Sequence, residues 1–294
     1  MLLFAAHKHW DHAGGNVAFA AELGITKVLG PSGEHVEGCT HTVSEGDRIS
    51  VGNANFSVWE MPCHTRGHVA FYLPPLVDLA PSQPPAPAIP STQLGVNQAG
   101  NFDGRVDLGA GLVGTVSASP REGGSGAHVP SPAMVVLGVE TSGALFCGDV
   151  LFSQGCGRFF EGTAEQMLRN ADRIASLPNS VLIFCGHEYT LTNARFSAWL
   201  EPDCEAVQRR LEEVETLRGH ATPVPTVPTA VGRERETNPF LRAREAATAS
   251  AVRRRALDSL GGGLPGELEG GVEDWDWEDP VVVMLAMRRM RDAW

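Results

Sequence analysis

Between residues 7 and 12 the chain reads His7-Lys8-His9-Trp10-Asp11-His12, three histidines and one aspartate in six positions. Such a run has few places to go in a fold. Unpaired, these groups are costly to desolvate, so they cannot serve as ordinary core. Two histidines separated by one residue point the same way when they leave a strand end in an extended conformation, so His7 and His9 can chelate one cation. Asp11 and His12 arrive as the chain turns into a helix and can address a second cation close by. Imidazole and carboxylate suit Zn, Fe and Mn alike, so donor type leaves the metal open. Of the opening residues, Met1 to Ala6, 2–6 read as the end of a buried strand. They lack a basic n-region and are too short for a signal peptide.

Each cation needs further donors. The sequence offers His64 after Pro62-Cys63, Asp149 after Gly148 and His187 after Cys185-Gly186. All three sit just past a strand-like run beside a small residue, where loops gather along one edge of a sheet. His35, His41, His68, His128 and His220 read as packed or surface histidines, with His68 close enough to His64 to support it.

The rest of the chain divides by character. Gly14-Gly15-Asn16 opens a short helix through Phe19 and Leu23 that Gly24 stops. Residues 25–73 read as short strands, with period-two alternation at Phe56-Ser57-Val58-Trp59. Residues 74–132 are dense in Pro, Gly, Ser and Ala, and are expected to form a disordered insertion. Thr163-Ala164-Glu165-Gln166 is a capping box, followed by an apolar face of Met167, Ala171, Ile174 and Ala175. Val181 to Cys185 is a short buried strand. Beyond about residue 190 the pattern turns helical, with stripes at Val207, Leu211 and Val214 and from Val282 to Met290, separated by Pro223, Pro225 and Pro228. The expectation is an α/β body over 1–190 and a helical unit over 191–294.

A net charge of −12 argues against nucleic acid as a partner, because no excess of Lys and Arg is available for phosphates. No apolar stretch approaches the length of a membrane span, so no membrane partner is expected. Six cysteines are too few for a disulfide scaffold, and Cys63, Cys147, Cys156 and Cys185 sit in apolar or Gly-rich segments, as free thiols do. A reducing, cytoplasmic setting and a monomer are expected, with a mitochondrial or plastid setting left open.

The motifs carry a resemblance. His-x-His-x-Asp-His, a later lone His, Gly-Asp and Gly-His resemble the signature of the metallo-β-lactamase superfamily. Within it, six segments resemble glyoxalase II, the hydroxyacylglutathione hydrolase family. They are His9 to Asn16, Pro62 to Thr65, Gly155 to Phe159, Glu161 to Ala164, Cys185 to Thr190 and Asn238 to Phe240. The resemblance implies an αββα sandwich with a C-terminal helical domain, and more strands before the first histidine motif than this chain carries. It implies that His7, His9 and His64 hold one metal and Asp11, His12 and His187 the other, with Asp149 bridging. Two divalent ions, Zn by preference and Fe or Mn otherwise, would acidify a bridging water that attacks the thioester of S-(2-hydroxyacyl)glutathione, as in S-D-lactoylglutathione. Asp11 is then placed to orient that water. Arg158, Tyr189, Arg288 and Arg291 match the groups that bind the glutathione. Arg158 stands where the family usually has Lys, and Phe160 where it usually has Tyr.

Two alternatives stay open at this point, a persulfide dioxygenase of the same fold, using one iron, and a non-catalytic metal-binding remnant. The insertion generates its own test. Removing residues 76–130 is expected to leave soluble yield and thioester turnover unchanged, because the segment lacks core-forming residues. A large loss of either would show that it shapes the fold or the site.

Overall fold

A computed structural model describes residues 1–75, 105–107, 113–115, 142–259 and 271–294. Two sheets face each other. The smaller is wholly parallel, β1 (Leu2–Phe4), β2 (Lys27–Pro31) and β3 (His41–Val43) in that order, with β1 paired on one side only among the described residues. The larger has six strands. They are β4 (Arg48–Val51), β5 (Ala54–Glu60), β6 (Val69–Leu73), β9 (Ala144–Gly148), β12 (Leu182–Cys185) and β13 (Thr229–Ala230), in the spatial order β13-β12-β9-β6-β5-β4. Of the expected disordered insertion, 74–132, most lies outside the described residues. Within it β7 (Arg105–Asp107) and β8 (Val113–Thr115) form an antiparallel pair.

Period-two alternation assigns the faces of the large sheet. Val58, Val69 and Phe71 turn toward the small sheet and pack with Leu29, Val43 and Ile49. Ala70, Leu145, Cys147 and Ile183 turn the other way, onto helices. Chief among these is α3 (Ala164–Ala175), which buries Met167, Leu168, Ala171 and Ile174. Its capping box forms as the sequence requires. Thr163 Oγ1 accepts from the Gln166 N–H at 3.3 Å, and Gln166 Oε1 accepts from the Thr163 N–H at 2.9 Å. Beyond the small sheet, Ala13 of α1 (Trp10–Ala13) packs with Ala5 and Val36, and α2 (Asn16–Leu23) ends at Gly24. That glycine has φ 64° and donates its N–H to the Ala20 carbonyl, a left-handed stop that any Cβ would strain. The layers are helix, sheet, sheet, helix, as a metallo-β-lactamase fold requires.

The chain after residue 189 is helical as expected, with α4 (Thr190–Leu200), α5 (Glu205–Arg218), α6 (Val231–Thr237), α7 (Ala246–Ser259) and α8 (Pro280–Ala293). It also returns one strand to the large sheet. β13 pairs antiparallel with β12, a two-residue strand too short to show periodicity in the sequence. One hydrophobic core runs from Met61 and Leu145 to Met284 and Met290, so the C-terminal helices share their interior with the sheet.

A buried carboxylate fastens the two halves. Glu234 on α6 is fully buried and accepts four hydrogen bonds. The donors are the Ser153 hydroxyl at 3.0 Å, the Gln154 N–H at 2.8 Å, the Thr229 hydroxyl at 2.8 Å and Asn238 Nδ2 at 3.0 Å. Ser153 and Gln154 form the turn between β10 (Leu151–Phe152) and β11 (Gly155–Cys156). Removing the carboxylate leaves three buried donors without an acceptor, while Asn238 Nδ2 keeps the Phe152 and Gly155 carbonyls. Glu234→Ala is therefore expected to cost at least about 3 kcal/mol, a fall in Tm on the order of 5–10 °C in a thermal scan. Glu234→Gln should cost less, because two of its partners are hydroxyls that can turn and accept. Equal melting of all three proteins would show that this carboxylate carries no stability.

Candidate metal centre

Topology gathers the candidate residues. β9 and β12 are parallel, so Gly148-Asp149 and Gly186-His187 leave the sheet at one edge, and the Gly186 N–H donates to the Gly148 carbonyl at 3.0 Å. β6 is antiparallel to β9, so the segment before it, with His64 and His68, arrives at the same edge. The Val69 N–H donates to the Ala6 carbonyl at 2.9 Å, which brings in the end of β1 and with it His7.

The side chains form two triads. His7 Nε2 lies 3.1 Å from His9 Nδ1, and His64 Nε2 lies 3.0 Å from the same His9 atom. On the other side His12 Nε2 is 3.1 Å from His187 Nε2, which is 3.2 Å from Asp11 Oδ2. Asp149 stands between them, with Oδ1 at 3.3 Å from His12 Nε2, and Oδ2 at 3.5 Å from His64 Nε2 and 3.4 Å from His187 Nε2. Within each triad the candidate donor atoms all lie within 4.8 Å of one another. Tetrahedral bonds of about 2.0–2.1 Å would put neighbouring donors roughly 3.3–3.4 Å apart, so little movement is needed to close on a cation.

Protonation supports the fit. His64 Nδ1 is 3.1 Å from the Arg158 carbonyl and must donate to it, so Nε2 points a bare lone pair at His9 and at the Asp149 carboxylate. The His64 Nε2 lone pair and the Asp149 carboxylate, 3.5 Å apart, repel unless a cation lies between them. Burial holds His7 far below the usual imidazole range, with His68, His12, His64 and His9 adding to the depression. His64 is depressed by burial too, against the opposing charge of Asp149. His12 goes the other way, because Asp149 and Asp11 together outweigh its burial, and the neighbouring histidines hold Asp149 below the carboxylate range despite its own burial. Neutral His7 and His64 beside an ionised Asp149 are in the state in which such residues bind a metal.

Glycine makes room for the centre at Gly157, where a Cβ would lie 1.8 Å from the Asp149 carbonyl oxygen, and at Gly186. A Cβ on Gly186 would lie 2.2 Å from Asp149 Oδ1 and 2.6 Å from His12 Cε1.

The centre opens into a cavity of about 670 Å³, and Arg158, Tyr189, Arg288 and Arg291 all line it with His9, Asp11, His64, Asp149 and His187. Tyr189 stacks on His187 with ring centroids 4.9 Å apart. Arg291 shares the Asn193 Oδ1 atom through Nε and one terminal nitrogen at 3.3 and 3.2 Å. Arg288 is only 6% exposed, donating to the Cys156 carbonyl at 2.8 Å and to Asp292 at 3.0 Å, so it is a built-in part of the wall. Asp292 also meets Arg158 at 3.0 Å. Phe160 presents its ring 5.7 Å from His9 and 5.1 Å from His64, an apolar lip where a tyrosine would offer a hydroxyl.

Sequence reasoning missed or misdirected several members. His68 meets His64 only ring edge to face, with centroids 6.3 Å apart. It stacks on His7 with centroids 4.7 Å apart and accepts the Asp149 N–H through Nε2 at 3.1 Å, while burial depresses its pKa to about 3. Asn193 and Asp292 drew no attention because neither lies in a recognisable motif. A polar residue following Arg291 on the last helical turn was the one available signal for Asp292.

The family model described as Metallo-beta-lactamase superfamily matches residues 3–187, and the one described as Hydroxyacylglutathione hydrolase C-terminus matches 188–294. A hydroxyacylglutathione hydrolase of Cupriavidus taiwanensis is 34% identical over 254 residues, covering 84% of this chain and 71% of that protein. The chain belongs to the hydroxyacylglutathione hydrolase family. Another member, from Chromohalobacter salexigens, is 34% identical over 240 residues, 82% of this chain and 68% of its own length. Among solved structures, a metallo-beta-lactamase from Staphylococcus aureus aligns with 99% of this chain and 56% of its own at 19% identity and a TM-score of 0.44. Both the family and the His/Asp cluster make this a divalent-metal site.

Two substitutions test the centre. Asp149→Ala removes the carboxylate shared by both triads and should lower thioester turnover at least about 100-fold while circular dichroism stays native. Gly186→Ala forces a methyl into Asp149 and His12 and should cost one bound ion, read by metal analysis after dialysis. Near-normal turnover in the first, or full metal content in the second, would contradict the arrangement.

Proposed function

We propose that the chain hydrolyses S-(2-hydroxyacyl)glutathione, S-D-lactoylglutathione being the natural probe, to the free 2-hydroxy acid and glutathione. The observation that carries this reading is one cavity with two adjoining triads joined by Asp149 at its floor and three arginines in its wall. His7, His9 and His64 would hold one ion and Asp11, His12 and His187 the other, with Zn favoured by nitrogen-rich donor sets. Bound there, two divalent ions supply the positive charge that acidifies water and polarises a carbonyl.

The chain's own residues supply the rest. Asp11 is half exposed and lines the cavity, where its carboxylate would orient an incoming water. Addition to the carbonyl carbon is followed by cleavage of its bond to sulfur. The electron pair leaves on the glutathione thiolate, which needs little acid catalysis. Arg291 and Arg158 offer cationic groups to the carboxylates of the peptide, and Arg288 stiffens the wall between them. Phe160 and Phe152 line the approach with apolar surface that excludes bulk water. In this reading residues 1–190 supply the centre and 191–294 the peptide-binding wall. All candidate donors come from one chain, in keeping with a monomer. Six free cysteines favour a reducing, cytoplasmic setting, and the net charge of −12 speaks against nucleic acid. Among the described residues no helix is long and apolar enough to cross a membrane.

The deciding experiment is hydrolysis of S-D-lactoylglutathione by the Zn-reconstituted chain. One iron per chain with oxygen uptake on glutathione persulfide would replace the hydrolase reading with a dioxygenase. Recognition is tested separately. Arg291→Ala removes a charge-assisted contact far from the scissile bond, so KM should rise roughly 10–100-fold with a smaller change in kcat. The effect should vanish for a simple thioester without peptide carboxylates. Equal slowing of both substrates would make the helix a support rather than a binding element.

A further inference from the structure

Away from the donors themselves, one carboxylate holds two of the metal-bearing loops in register. Glu34 lies in the turn between β2 and β3, and its side chain is only 4% exposed. Oε1 accepts the Lys8 N–H at 2.8 Å and the Thr65 hydroxyl at 3.0 Å, while Oε2 accepts the Gly67 N–H at 3.1 Å. Lys8 sits between the donors His7 and His9, and Thr65 follows the donor His64. A Cβ on Gly67 would lie 2.7 Å from Glu34 Cγ, so the glycine permits this close approach. On the solvent side Glu161 repeats the pairing, accepting from Lys8 Nζ at 2.5 Å and from the Arg66 N–H at 2.9 Å. Glu34 makes no contact with the Asp11, His12 and His187 triad.

We infer that Glu34 is a positioning residue for the first metal site alone, fixing the distance of the His7–His9 segment from His64 before any ion binds. Three donors gathered by one buried carboxylate set that spacing in the polypeptide rather than leaving the ion to impose it. Losing such an outer partner weakens metal affinity about 10–100-fold in comparable sites. Glu34→Gln keeps the shape but turns an NH2 group toward one of the three donors, so the register is lost with little change in volume.

The inference rests on the metal reading of the site but not on the substrate, and Co(II) titration of the full chain tests it without any thioester. His187→Ala leaves the first triad complete, and His9→Ala leaves the second. In the His187→Ala background Glu34→Gln should weaken Co(II) binding about 10–100-fold and alter the cobalt absorption bands. In the His9→Ala background it should leave the affinity unchanged. Equal loss in both backgrounds, or no loss in either, overturns the inference while the metal reading stands. A wild-type chain that binds no Co(II) overturns both together. Should circular dichroism show Glu34→Gln unfolded, Thr65→Val in the same two backgrounds decides. That variant removes one donor at constant volume and should weaken only the first site, by a smaller step.

Discussion

The structure is organised around a repulsion. Five imidazoles and two carboxylates converge, and the lone pair on His64 Nε2 faces the Asp149 carboxylate at 3.5 Å. A polypeptide does not hold such groups together by their own attraction. Here they are held from behind. The Arg158 carbonyl fixes the His64 tautomer, the His68 ring takes the Asp149 N–H, and neighbouring strand ends tie the loops to one another. Each of these contacts pulls on the far side of a ligand residue and so aims its free side inward. The charge that reconciles the cluster comes from outside the chain, and on the proposed reading two dications against two carboxylates would leave the floor of the cavity net positive.

That surplus sets the character of the remaining wall. Three arginines would add repulsion to a cationic floor, yet they are themselves restrained. Asp292 meets both Arg158 and Arg288, and Asn193 holds Arg291. The arginines thus stand in fixed positions around a space large enough for a tripeptide conjugate, ready for anionic groups to complete the neutralisation. Phe160, in place of a tyrosine, leaves that recognition to charge and backbone more than to side-chain hydroxyls.

How much of this was legible in the sequence depended on range. The histidine run, the capping box at Thr163, the Gly24 stop and the alternation through Val58 are local signals, and each element formed where local chemistry put it. The seven candidate donors were readable because four lie in one run and three follow a strand and a small residue, and the sheet gathers them at one edge. What escaped is tertiary. The spacing of Arg288 and Arg291 suggested one helical face, but the burial of Arg288 depends on a carbonyl from β11 more than a hundred positions away. Sequence proximity gave His68 only His64 as a neighbour, whereas the fold also delivers it to His7 and to the Asp149 N–H. Glu34 and Glu234 gave no signal at all, since a carboxylate in a turn or on a short helix reads as solvated until its donors from other segments are known.

The interior shared by Leu145, Ile174, Met284 and Met290 bears on how molecules enter and leave. A wall hinged on a linker can swing open, but one whose apolar face is sunk in the same core as the sheet cannot lift without wetting that face. At about 25 cal/mol per Å², exposing even a few such side chains costs several kcal/mol. Molecules therefore reach this cavity past its exposed lining, which includes the rings of Phe160 and Tyr189, without the helices lifting off the sheet.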